Sequence, residues 1–159
     1  VSNKQELLDE MGTEIHRRVW RRMSGAPHSP WPESLAEYGR ALRAEYLAHR
    51  DGARTFSGTR LTDPDVLRAQ EPLLREAVDS GLDLADIVLA TELVTAFVVG
   101  FVIEEQERAQ SDGPRYSLEE RTSVVGAEFG LVAAAGAILF GDPRPRFDAH
   151  LARIVASAG

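Results

Sequence analysis

The chain has 159 residues, 43% hydrophobic and 27% charged, which is the length and balance of one soluble domain with its own core. It contains no cysteine, and this excludes a disulfide framework, a thiolate metal site and a cysteine nucleophile. A net charge of −7 opposes binding to nucleic-acid phosphates by this chain itself.

Helix signals then follow one another along the chain. Asn3, with Glu6 three positions on, reads as an N-cap; Leu7, Leu8, Met11, Ile15 and Val19 recur at helical spacing behind it. The run SGAPHSP (24–30) ends that helix. Ser29 as cap and Pro30 at the first helical position open a second helix. Its apolar face is Leu35, Tyr38, Leu42, Tyr46 and Leu47, and it ends near His49. Residues 50–63 are a polar, glycine-bearing connector with room for one helical turn around 53–56. Thr62 or Asp63 caps the next helix, which holds Pro64 in its first turn and runs to Ser80, where Gly81 stands as the C′ glycine. Asp83 caps the longest helix, about 84–110. After a loop, Ser117 and Glu120 form a capping box that opens a helix to about Phe140. GDPRPR (141–146) breaks it, and a last helix covers 147–158. No strand pattern is present, so six or seven helices and an all-α fold are expected.

The stretch FVVGFVIEEQER (97–108) turns from apolar to acidic within one helix. Leu93, Ala96, Phe97, Gly100, Phe101 and Glu104 share one stripe; Val94, Val98 and Val102 form another, with Thr91 and Thr95 between. A helix apolar all round is covered all round. One side therefore packs on the domain's own core and the other on something else, for which a second subunit is the natural candidate. Gly100 costs about 1 kcal/mol against Ala in mid-helix, which the close approach of another helix or a ligand would justify. Glu104 either meets water where the helix leaves the core or faces a partner or ligand. A membrane span needs about 20 mostly apolar residues. Thr91, Glu92 and Thr95 interrupt this one, so a buried helix, no membrane partner and a cytoplasmic location are expected.

Catalytic chemistry finds no support. His16, His28, His49 and His150 form neither a His-x-x-x-His nor a Glu-x-x-His pair, and no phosphate-cradling loop or nucleophile elbow occurs. No enzyme and no metal site are expected. Arg17, Arg18, Arg21 and Arg22 read as a solvated basic face. The Gly/Ala-rich run 126–141 reads as an inner helix packed against the pocket or an interface. Gly, Ala and Arg usage points to a GC-rich, bacterial source.

HRDGARTFSGTR (49–60), SGLDLADIVLATELVTAFVVGFVIEEQER (80–108) and the opening VSNKQELLDEM (1–11) together resemble the effector-binding domain of Tet-repressor (TetR) family transcription regulators, specifically the tetracycline-repressor type. The resemblance implies an all-α effector-binding domain spanning 1–159 that forms a homodimer through a four-helix bundle. Residues 1–4 are then the remnant of a junction to an absent N-terminal helix-turn-helix domain, through which alone operator DNA is bound. Lys4 matches a phosphate-contacting lysine of the family. A chain that begins with Val and enters a helix at once fits that reading.

The resemblance also implies a pocket. Glu104 falls on a glutamate that reaches, through water, a drug–magnesium chelate held by the partner subunit. Phe56 stands where the family's metal-holding histidine does, Trp20 and Tyr38 replace a polar histidine and asparagine, Leu42 replaces an aromatic contact, and Thr59 and Arg60 match. Phe cannot coordinate magnesium, so the magnesium–tetracycline chelate, and any other cofactor, is not expected. The expected effector is small and aromatic or apolar, lined by Trp20, Tyr38, Leu42, Phe56, Thr59, Arg60, Leu93, Ala96, Phe97, Gly100, Phe101 and Glu104. The expected dimer interface is Val94, Val98, Val102, Phe147, Leu151 and Ile154. A free-standing carrier of a small apolar molecule is the alternative function.

Overall fold

The computed structural model describes residues 3–24, 29–111, 117–126 and 128–157. Among them the elements are α1 (Lys4–Ser24), α2 (Trp31–Leu47), α3 (Gly52–Phe56), α4 (Pro64–Arg68), α5 (Glu71–Asp79), α6 (Leu84–Gln110), α7 (Leu118–Val125), α8 (Gly130–Leu139) and α9 (Pro143–Ala156), with no strand. His28, Ser2 and the tip of the loop after α6 lie outside the described residues.

The predicted caps form. Asn3 Oδ1 accepts from the Glu6 N–H at 2.9 Å, Asp63 Oδ1 from Asp65 N–H at 2.9 Å, Asp83 Oδ1 from Ala85 N–H at 2.8 Å, and Ser117 Oγ from Glu120 N–H at 3.2 Å. Gly81 takes φ +100° behind α5. Four boundaries differ from expectation. Pro30, not Ser29, is the N-cap of α2, and Ser34 Oγ instead donates back to the Ser29 carbonyl at 2.8 Å. The segment 64–80 is two helices, because Pro72 in the first turn of α5 lacks an N–H and its ring would crowd the carbonyl of Arg68. The segment 117–140 is also two helices, broken after α7 at Gly126 with φ +85°. At the other end, α9 begins earlier than predicted. Asp142 caps it, Oδ1 to Arg144 N–H at 2.9 Å, and Pro143 and Pro145 sit in a first turn that has no use for their missing donors.

The centre of the fold is α6. It packs on α2, α3, α5 and α9, while α1 lies on α2 and α3. An 18-residue stretch of α6, with a mean hydropathy of 2.1, is long and apolar enough by composition alone to cross a bilayer; the fold uses it as the helix on which the core is built. Its inner face carries Ile87, Ala90, Val94, Val98 and Val102, all buried with Leu35, Tyr38, Leu42 and Tyr46 of α2 and Phe147 and Leu151 of α9. Val94, Val98, Val102 and Leu151 are 0% exposed and Phe147 is 1% exposed within the single chain, and Ile154 is half-buried against the same core. These six residues were expected at the dimer interface. Val94, Val98, Val102, Phe147 and Leu151 are sealed by their own chain and have no surface left to offer a partner, whereas Ile154 keeps part of its surface.

The outer face of α6 is different. Val88, Leu89 and Leu93 are each more than half exposed, and Ala96 and Gly100 continue the row. Nothing in the chain comes within 4 Å of a β-carbon built on Gly100. On α8, Leu131 is 88% and Ile138 is 70% exposed. Within the single chain α8 therefore keeps an exposed apolar side, and of the two placements expected for it, against the pocket or against an interface, this leaves the interface open. Arg108 Nη1 holds α8 at the Leu139 carbonyl, 2.9 Å away. Arg146 reaches the same oxygen, and the Phe140 ring lies under both Arg108 and Arg121.

One turn is sterically fixed. A β-carbon on Gly52 would overlap the backbone oxygen and carbon of Tyr46, and neither can retreat. Gly52→Ala should therefore destabilise the fold by about 1–3 kcal/mol, read as a lower urea midpoint at unchanged m-value.

Candidate functional site

The twelve residues expected to line an effector pocket fall into three groups. The first is an aromatic and apolar cluster where α1, α2 and α3 meet. Trp20, Tyr38, Leu42 and Phe56 are all buried there. The Trp20 indole stacks on the Tyr38 ring, centroids 5.7 Å apart at 22°. Phe56 meets the His49 ring edge-on at 5.6 Å. Buried Gln106 of α6 fixes the intervening turn by donating from Nε2 to the carbonyls of His49 and Tyr46, at 2.7 and 3.2 Å. Thr59 follows α3 and donates from Oγ1 to the Phe56 carbonyl at 2.8 Å, filling the space above Gly12 of α1.

The second group is Phe97 and Phe101, which turn toward α9. Their rings lie 5.5 Å apart and each lies 5.3 Å from Phe147, with His150 beside both and the Arg146 guanidinium 5.2 Å above Phe101. The third group is exposed: Leu93, Ala96, Gly100 and Glu104 lie along the outside of α6, and Arg60 stands at the surface. The Glu104 side chain is 69% exposed and sits 3.3 Å from Arg108. The single stripe read from the sequence thus divides. Leu93, Ala96 and Gly100 belong to the open face of α6, and within one chain they do not approach the Trp20 cluster. An i, i+3, i+4 row on a 27-residue helix drifts around the axis, so its members end on different faces.

Sequence reasoning missed the role of Thr95. Its Oγ1 donates to the Thr91 carbonyl at 2.8 Å and lies 2.9 Å from Tyr38 Oη. A hydroxyl has one proton, so in the second contact the phenol is the donor. The two threonines four apart on an apolar helix were the available signal. Burial pushes the Tyr38 phenol up against the lowering contact with Thr95. Burial and then Tyr38 push the Tyr46 phenol up to about 12. Both stay neutral at working pH.

Polar contacts tie α1 to the segment after α3. Thr13 Oγ1 gives its proton to the Asp9 carbonyl at 2.8 Å and accepts from the Thr62 N–H at 2.9 Å and the Thr62 hydroxyl at 3.0 Å. The Arg60 N–H reaches Asp9 Oδ1 at 3.1 Å, and Arg17 bridges to Asp63 at 2.7 Å. Arg17, Arg18 and Arg21 converge on Glu14, and Arg22 holds the buried carboxylate of Glu45 at 2.6 Å. The basic face of α1 is thus largely neutralised in place.

These groups make the α1 contacts sensitive to acid. Hydrogen bonds from Arg18 and then Arg17 hold Glu14 below the usual carboxylate range, and Arg17 followed by the Asp65 N–H does the same for Asp63. Burial keeps His16 below the ordinary imidazole value of 6.5. All three bind protons more readily in the unfolded chain. The stability they contribute is present at pH 7 and above. It begins to fall as pH drops below 6.5 for His16, then falls further as pH passes down through the depressed carboxylate values. A Tm that is flat above pH 7 and declines in two stages below it is expected from calorimetry. His16→Phe should remove the first stage only.

Among the described residues no three His, Asp or Glu side chains gather as a metal site. Cavities open elsewhere, including one of about 250 Å³ between the start of α2 and α5, lined by Trp31, Leu73, Ala77 and Leu82.

The family model described as "Tetracyclin repressor-like, C-terminal domain" matches residues 25–157. The chain is similar to the tetracycline repressor protein class E of Escherichia coli, 33% identical over 110 residues, which cover 69% of this chain and 52% of that protein. It is 31% identical over 153 residues to the class A repressor protein from transposon 1721, also Escherichia coli, covering 96% and 69%. The chain spans about half the length of the class E and class D relatives. Among solved structures, a possible TetR family transcriptional regulator from Streptomyces coelicolor A3(2) superposes with a TM-score of 0.81 at 31% identity, covering 98% of this chain and 78% of that one. The class A TetR in complex with 5a,6-anhydrotetracycline and magnesium shares the fold, with a TM-score of 0.68 at 24% identity, covering 99% and 76%.

Proposed function

Since the chain belongs to the tetracycline-repressor-like C-terminal domain family, we propose that it is the ligand-sensing and dimerising part of a DNA-binding repressor controlled by a small aromatic or apolar effector. The observation that carries this reading is the position of the Trp20–Tyr38–Leu42–Phe56 cluster. It lies under α1, whose first turn bears Lys4 and leads toward the expected DNA-binding end. A ligand that displaces Trp20 or Phe56 pushes on α1 directly. Displacing Phe56 also pulls on Thr59 and, through it, on the polar contacts of α1 with residues 60–63. Movement in the cluster is thereby converted into movement of α1.

The dimer forms, on this proposal, through the outer face of α6. Val88, Leu89, Leu93, Ala96 and Gly100 make an exposed apolar row, interrupted by Glu92, of a kind that soluble proteins rarely leave open. Gly100, free of contacts within its own chain, lets a second helix come close. Glu104, at the end of the same row, then points at the partner. Phe56 at the expected metal-holding position, with Trp20 and Tyr38 at two polar drug-contact positions, favours a ligand without magnesium.

The test is a mobility-shift assay of the full-length protein on DNA from its own promoter region. A planar aromatic ligand that stabilises the protein should change the DNA affinity, and magnesium–tetracycline should not. A ligand that binds the cluster and leaves DNA affinity unchanged would favour the carrier function instead.

A further inference from the structure

The effector cluster has an unusual polar interior. Trp20 is 8% exposed, and its indole Nε1–H is buried without a hydrogen-bond partner. That group can only donate. Buried donors are almost always satisfied, so an orphan at a candidate binding site calls for an acceptor that arrives from outside the chain. Stacked on the same indole is Tyr38, whose one proton goes to Thr95, because Thr95 has given its own to Thr91. The Tyr38 oxygen therefore keeps acceptor lone pairs but has no second proton to donate. Two stacked rings thus present one free donor and one free acceptor.

The charged residues expected at the site, Arg60 and Glu104, are exposed, and the buried Glu45 carboxylate of α2 is already paired with Arg22 of α1 at 2.6 Å. The shift of the Tyr38 phenol arises from burial and Thr95 with no ion contributing. His16, on the same helix as Trp20, is kept toward its neutral form by burial. An ionised ligand would lose its hydration here and gain no partner charge.

We propose, resting on the effector-pocket reading above, that the effector is an uncharged planar molecule whose carbonyl-type oxygen accepts from Trp20 Nε1–H. A hydroxyl or N–H beside that oxygen would donate to Tyr38 Oη. Magnesium has no part in holding it, and recognition is by one hydrogen bond to each of two stacked rings.

The experiment is calorimetric titration of the full-length protein with three probes of one shape: fluorenone, which has the carbonyl; fluorene, which lacks it; and a fluorenone carboxylate, which adds a charge. Fluorenone should bind about tenfold more tightly than fluorene, and the carboxylate should bind more weakly than fluorenone by at least the same factor. Trp20→Phe keeps an aromatic ring, though a smaller one, and removes the N–H. It should weaken fluorenone about tenfold more than it weakens fluorene. Leu42→Trp, which fills the cluster, should weaken both. Equal binding of fluorenone and fluorene, a Trp20→Phe loss no larger for fluorenone than for fluorene, or carboxylate binding as tight as the ketone would overturn the inference and leave the pocket standing. Binding unaffected by Leu42→Trp, or no binding of any probe, would overturn the pocket as well.

Discussion

Val98→Asp is expected to unfold the protein, whereas Leu93→Asp should leave it folded and separate its subunits. The two positions are five residues apart on one helix, and both are aliphatic. Val98 is 0% exposed inside the single chain, packed where α2 and α9 meet α6. A carboxylate there has no partner, and an uncompensated buried charge costs about 3–5 kcal/mol. That is a large share of the roughly 5–15 kcal/mol by which domains are stable. Leu93 is 51% exposed, so within the monomer its replacement costs no more than about 0.5 kcal/mol, as at most surface sites. In the proposed dimer it faces its counterpart, and two facing carboxylates repel. Circular dichroism and light scattering separate the cases: a lost helical signal for Val98→Asp, a helical monomer for Leu93→Asp. A folded monomer from Val98→Asp would restore the interface to the valine stripe. An unchanged dimer from both Leu93→Asp and Leu89→Asp would remove it from α6.

The second large effect is expected at Arg43 and Glu105. Arg43 donates from Nη2 and Nε to the two Glu105 oxygens at 2.6 and 3.0 Å, joining α2 to α6, and its guanidinium lies 4.8 Å over Phe147 of α9. Both side chains are close to seven-eighths buried, at 14% and 13% exposure. Glu105→Ala strands the cation and should lower stability by about 3 kcal/mol. The double variant Arg43→Met with Glu105→Leu removes both charges and fills similar space, so it should recover most of that loss. Urea unfolding of the two variants decides the matter. A double variant no better than the single one would mean that the ion pair itself, and not the stranded charge, carries the stability.

The caps and the long helix were legible in the sequence because they are local. A side-chain oxygen at Asn3, Asp63, Asp83 or Ser117 satisfies an amide two or three residues away, and no distant contact can outbid it at a solvent-facing helix end. The splits at Pro72 and Gly126 were also written there, in residues that oppose helix continuation, but the apolar period running across them hid the breaks. The candidate site was legible in part. Trp20, Tyr38, Leu42 and Phe56 were expected from the resemblance and are buried in the core, while Thr95 entered only when the structure placed it against Tyr38.

By itself the sequence determined the helical class, most helix boundaries and the net negative charge. Only the tertiary structure decided which side of α6 is inside. The valine stripe and the leucine–alanine–glycine stripe are both apolar, so transfer from water favours burying either one. The choice was made by shape. Leu151 and Val94 close directly over Gly39 of α2, where a β-carbon would stand 3.0 Å from each, and this close fit draws the valine face inward. The other stripe remains on the surface, open to a partner.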